Sequence, residues 1–127
     1  MNAELPEEIL AAWEKRDPAC VLTTISMDGV PNTIYVSCCG IVDRRRILIC
    51  NSAFSKTMEN LAKGSGLASF LFFAPGLAAY QLKGRIRHHT GGEAFEAGEA
   101  FSKPGIPLHG IAEIEVTEAY KGAEQLL

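Results

Sequence analysis

The chain lacks most of the features that announce a simple function. It has no long apolar run: the best, Leu67–Ala74, contains Ser69 and is far too short to cross a bilayer as a helix. It has no excess of one charge. Its 12 Lys and Arg against 15 Asp and Glu give −3, with both signs dispersed, and leave no basic stripe for nucleic acid. None of its 4 cysteines, Cys20, Cys38, Cys39 and Cys50, forms a CxxC pair. Adjacent Cys38 and Cys39 point to opposite faces of a strand, so they are poor joint ligands for zinc. All four read as buried, reduced thiols. His88 and His89 diverge for the same reason, and only His109 remains; no metal is expected. There is no Walker glycine loop and no GxGxxG. The opening MNAELPEE lacks the basic-then-apolar plan of a secretory leader, so a cytoplasmic protein is expected.

What is present is ordinary globular material. Apolar residues make up 47% and charged residues 21% of 127, enough for one domain over 1–127 with a core of its own. Pro6 followed by Glu7 and Glu8 marks a helix start, and Leu5, Ile9 and Trp13 form one apolar stripe that Asp17-Pro18 ends. Strands are predicted over Ala19–Ser26, Pro31–Val42 and Arg46–Cys50. Asp28-Gly29 joins the first two as a hairpin, and Asp43–Arg45 is a solvated charged turn continued by Arg46. These three strands would form a meander. In the second, Ile34, Val36 and Cys38 share one face and Thr33, Tyr35 and Ser37 the other.

Met58, Leu61 and Ala62 then sit at helical spacing, and Gly64 closes that helix. Gly66–Phe73 is a strand apolar on both faces, with Phe70, Phe72 and Phe73 as core residues beside Trp13. Leu77–His89 alternates cleanly, and Gly84 within it signals a bend or a close backbone approach. Gly92–Ser102 is a short helix, and Leu108–Thr117 the last strand. The sum is a mainly β protein: a six-stranded antiparallel barrel with short helices.

The richest chemistry lies where the RILIC strand runs through Asn51-Ser52 into a helix opened by Ser55-Lys56-Thr57. A helix start offers unpaired N–H groups and the positive end of the dipole. Lys56 adds a charge, and Ser52, Ser55 and Thr57 add hydroxyls. At an exposed helix start these could hold a phosphate dianion without a metal. The same residues also suit a plain N-cap and a solvated first turn.

The order of elements resembles the pyridoxamine-phosphate-oxidase-like, FMN-binding split-barrel family. The residues that carry it are Asp28-Gly29-x-Pro31, the strand Thr33–Cys38, Asn51–Thr57, and Gln81-Leu82-Lys83-Gly84. The resemblance implies a homodimer with two FMN molecules in grooves between protomers, acting as an oxidoreductase or electron carrier. It implies that Lys56 and Thr57, helped by Ser55, grip the phosphate. Ile34, Tyr35, Val36 and Ser37 would run along the isoalloxazine. Cys50, Asn51 and Ser52 would contact the ribityl chain and ring, and Gln81 or Arg85 would approach the partner's flavin. The family's oxidases carry a C-terminal extension with arginines for the substrate phosphate. Here the tail EAYKGAEQLL has only Lys121, so oxidation of pyridoxamine phosphate is not expected. No catalytic residue can be named. A deazaflavin in place of FMN, or a barrel holding haem through His88 or no cofactor, is the competing reading.

Overall fold

The computed structural model describes residues 3–127. A first helix, α1 (Glu7–Glu14), is followed by strands β1 (Cys20–Ile25), β2 (Pro31–Val36), β3 (Cys39–Val42) and β4 (Arg46–Asn51). Helix α2 (Lys56–Lys63) leads to β5 (Leu67–Ala74) and β6 (Ala78–His89). Then come α3 (Glu93–Gly98), a 3-10 turn (Glu99–Phe101), β7 (Gly110–Lys121) and the short β8 (Glu124–Gln125). All pairings are antiparallel, in the order β2-β1-β5-β6-β7-β4-β3, with β8 on β7.

This is the expected split barrel, built from eight strands among the described residues rather than six. The difference lies in Pro31–Val42, which reads as one strand and is two. The chain breaks at Ser37-Cys38, so that β2 pairs with β1 and β3 with β4. The expected meander therefore does not form: β2 and β3 are the two free edges of the sheet, joined covalently but not by a ladder. The barrel is split at that join. The last strand also starts later and runs further than its sequence suggested, because Pro107, Leu108 and His109 stay in the loop.

Two cores hold the sheet. Inside the curl, Leu5, Ile9 and Trp13 of the α1 stripe pack with Leu22, Ile47, Ile49, Phe70, Phe72 and Leu82. Trp13 meets Phe72 edge-on at 5.0 Å between ring centroids. Pro6 stands at the N-cap, one place before the first helical residue. Outside, Leu48, Cys50, Ala94 and Ile111 pack under α3, so β4 is buried on both faces. The thiols are free. Cys39 Sγ donates to Ser37 O at 3.8 Å, and the neighbouring Cys20 thiol, then burial, hold Cys39 far above the usual thiol range.

Two sequence expectations fail on this outer side. Phe73 is not core: with Leu67 and Leu71 it leaves one face of β5 open, at 51%, 47% and 40% exposure. Arg46 is not solvated. Its guanidinium bonds Asp43 at 2.6 Å and Glu93 and Glu113 at 2.9 Å each, and the second Glu113 oxygen meets His89 Nε2 at 2.8 Å. Burial opposes the Glu113 charge, but the bonds from Arg46 and His89 outweigh it and hold the carboxyl below its ordinary range. A depressed folded pKa stabilises the fold above the unfolded value, about 4.3, and this contribution fades as pH falls through the folded one. Glu113→Gln should therefore flatten the acid limb of a plot of urea midpoint against pH. A slope equal to the parent's would show that Arg46 and His89 do not act through that charge.

Candidate functional site

The split and the start of α2 meet in one cavity of about 530 Å³. Strand β2 supplies one wall, with Asn32, Ile34, Tyr35 and Val36, continued by Ser37 and Cys38. As an edge strand it bonds β1 on one side only, so alternate N–H and C=O groups on its other side are open. The other wall is Cys50, at the end of β4, and residues 52–57. The two walls are tied where Cys50 N–H donates to Cys38 O at 2.8 Å.

The loop 52–55 owes its shape to Asn51, whose Oδ1 accepts the Phe54 N–H at 3.0 Å. Ser55 takes the N-cap position of α2 but makes no side-chain cap bond, so the first-turn amides are left open. Lys56 is half-exposed and reaches Glu59 at 3.1 Å. Thr57 is not exposed as its position suggested. It is 1% accessible, and its Oγ1 accepts from Asn32 Nδ2 at 3.1 Å while keeping its own proton to donate. A valine there would strand the Asn32 amide, so Thr57 serves the fold as well as any ligand.

The structure brings together Ile34, Tyr35, Val36, Ser37, Cys50, Ser52, Ser55, Lys56 and Thr57. Three others lie apart. Asn51 is buried behind the loop and turned toward His88 rather than into the cavity. Gln81 and Arg85 are on β6: Gln81 donates to Ser69 Oγ at 2.7 Å, and Arg85 pairs across from Leu67. The registers place Tyr35, Val21, Leu71 and Gln81 in one cross-strand row on the outer face. Tyr35, 80% exposed, belongs both to that face and to the mouth of the cavity.

Sequence reasoning missed Asn32, Cys38, Ala53, Phe54 and Ile106. Asn32 was within reach, since it shares the period of two with Ile34 and Val36. Ile106 was not: it arrives from an irregular loop whose path no pattern fixes. Among the described residues the lining holds one cation, Lys56, and no carboxylate. Burial pushes the Cys50 thiol up to about 11, so it stays neutral. The arrangement suits a ligand with an anionic end at α2 and a flat polar-edged body along β2. The first-turn amides, Lys56 and the hydroxyls fit a phosphate, and the open edge of β2 fits a heterocycle rich in donors and acceptors.

The geometry is that of an antiparallel split barrel with a ligand cleft at its seam. A family model described as pyridoxamine 5'-phosphate oxidase matches residues 5–121, and the chain belongs to that family. No curated protein matches it. Among solved structures it is similar to HupZ of Group A Streptococcus, at TM-score 0.79 and 16% identity, over 92% of this chain and 93% of that one. It is also similar to General Stress Protein 26 of Bacillus anthracis, at 0.72 and 14%, covering 94% and 95%. An FMN-binding protein from Syntrophomonas wolfei subsp. wolfei matches at 0.64 and 16%, covering 89% and 88%. At these identities the likeness is one of fold.

Proposed function

We propose that the chain binds FMN non-covalently in this cavity and acts, as a homodimer, as an oxidoreductase or electron carrier. The observation that carries it is the pairing of an open helix start bearing Lys56 with an open sheet edge across one cleft. Family membership and the FMN-binding protein of the same fold support it. Ser52, Ser55, Lys56 and Thr57 would hold the phosphate. Backbone groups of Ile34–Ser37 would meet the polar edge of the ring, with Cys50 beside it. FMN, when bound, supplies the hydride or electron chemistry, and the protein supplies position and tuning. Among the described residues no carboxylate or histidine lines the cleft, which favours a redox carrier or a simple reductase over acid–base specialisation.

The outer face supports the dimer. Leu67, Leu71, Phe73 and Tyr35 form an apolar surface that a second copy would cover. Gln81 and Arg85 lie on that surface, which is where residues reaching a partner's flavin must be. Two measurements test the reading. Protein as purified should be yellow with flavin absorption bands, and light scattering at micromolar concentration should give twice the chain mass. A Soret band would replace the flavin by haem, and mass analysis of the released cofactor would expose a deazaflavin. Colourless protein would favour a cofactor-free module, and a clean monomer would remove the shared groove. The haem alternative gains nothing from His88, whose Nε2 is engaged by Asn51 behind the loop.

A further inference from the structure

Behind the cavity, three strands converge on one side chain. Asn51, 4% exposed, ends β4; His88 lies near the end of β6; Gly110 opens β7 directly across from Asn51. The Asn51 amide is fixed at both ends. Its Oδ1 accepts the Phe54 N–H at 3.0 Å, which leaves Nδ2 facing His88 Nε2 at 3.1 Å and Met58 Sδ at 3.4 Å. Because Phe54 N–H can only donate, the amide cannot be reversed without losing that bond. Nδ2 can also only donate, so His88 must present a bare lone pair on Nε2 and carry its proton on Nδ1. Room for the ring comes from Gly110: a Cβ there would collide with the His88 imidazole and lie 2.9 Å from His89 O.

We infer that Asn51 is a positioning residue for the phosphate loop 52–55 and that neutral His88 holds it in place, so that protonating His88 loosens the grip on the ligand. This rests on the reading of the cavity as an FMN site. An imidazolium has no lone pair at Nε2 and would set two donors against each other. Asn51 would then turn away, and Phe54 N–H would lose its acceptor. The groups around His88 leave its neutral form favoured. β4 presents the neutral amide of Asn51, whose Nδ2 also faces Met58 Sδ of α2, and β7 presents the bare backbone of Gly110. Burial, and then the neighbouring charge of His89 on β6, lower the His88 pKa below the ordinary histidine value. The grip is therefore set at neutral pH and lost on acidification.

The FMN phosphate itself titrates near pH 6, so the test needs a variant that keeps the acceptor and removes the titration. His88→Gln does both. The Kd for FMN, read by flavin fluorescence from pH 5 to 8, should rise on acidification by about tenfold more in the parent than in His88→Gln. Asn51→Ala should weaken binding about tenfold at pH 8 and abolish that excess. Parallel pH profiles in parent and His88→Gln overturn the inference. A second readout needs no flavin. In the ligand-free protein, ¹⁵N spectra should show His88 as the Nδ1-protonated tautomer. The Phe54 amide should shift with the His88 titration in the parent and stay fixed in His88→Gln. A Phe54 amide indifferent to His88 refutes the coupling whatever FMN does. Loss of FMN binding in every protein, with the amide coupling intact, would refute the cofactor assignment and the grip on it, but leave Asn51 and His88 as partners.

Discussion

Alanine at position 84 should lower the stability of the fold by about 3 kcal/mol or more, and valine there should prevent folding. Gly84 lies in the middle of β6, paired to Ala68 on one side and Val116 on the other. The register with β7 slips between Lys83 and Gly84, so that Thr117 is passed over and β7 bulges. The slip brings the β7 backbone against Gly84. A Cβ would overlap the Glu115 carbonyl oxygen and stand 2.8 Å from its carbon and 3.1 Å from Val116 Cα. These are backbone atoms inside a sheet paired on both sides, with no rotamer to relieve the clash. The sheet must flatten or the ladder must break, and either opens the interior core around Leu82 and Ile114. Thermal unfolding checks it: Gly84→Ala should melt roughly 10 °C or more below the parent. Gly91→Ala is the control, because nothing lies near a Cβ there and its φ is not in the left-handed region. Equal melting of the two variants would mean that the bulge adapts and that Gly84 is not what sets the curl.

Gly84 also shows how far the sequence could be read. A glycine inside a cleanly alternating strand signalled a close approach, and the approach is there. The α1 stripe, the Asp28-Gly29 hairpin and the strand-to-helix passage at Asn51–Thr57 were legible for the same reason: each is local, and each has a period or a turn residue that declares it. What was not legible is pairing. The break at Ser37-Cys38 leaves the alternation of Ile34, Val36 and Cys38 formally intact, so no local pattern separates β2 from β3. Only the choice of partners at opposite edges does, and that choice is made by the whole sheet. Arg46 misled in the same way. Three arginines in a row look solvated until Glu93 and Glu113, distant in sequence, close around one of them. Within the site, residue types pointed to an anion-suited helix start but not to which side chains face the cavity. Thr57 and Asn51 are both buried, and both act through a partner, Asn32 in one case and Phe54 in the other.

The sharpest consequence for function concerns Lys56, the one cation on the cavity wall among the described residues. Its ammonium sits on a half-exposed side chain, held at 3.1 Å by Glu59 and free to turn toward an anion at the first turn of α2. A charge-assisted bond to a phosphate is worth roughly 1.5–3 kcal/mol. Lys56→Ala should therefore weaken FMN by about one to two powers of ten. Leaving the Glu59 carboxylate unpaired beside the site works in the same direction. Folding should be unharmed, since Lys56 contributes no core contact and the Asn51–Phe54 bond that shapes the loop remains. Riboflavin carries the same ring and ribityl chain without the phosphate. Its binding should be weak in the parent and hardly changed by the substitution, so the two ligands separate the charge from the shape of the cleft. Titration of parent and variant with each, followed by flavin fluorescence, gives the comparison. Equal loss of both ligands would make the effect structural, and loss of neither would return Lys56 to a solvated lysine paired with Glu59. A selective loss of FMN would place the phosphate at the start of α2, and the open edge of β2 across the cleft is then the wall offered to the ring.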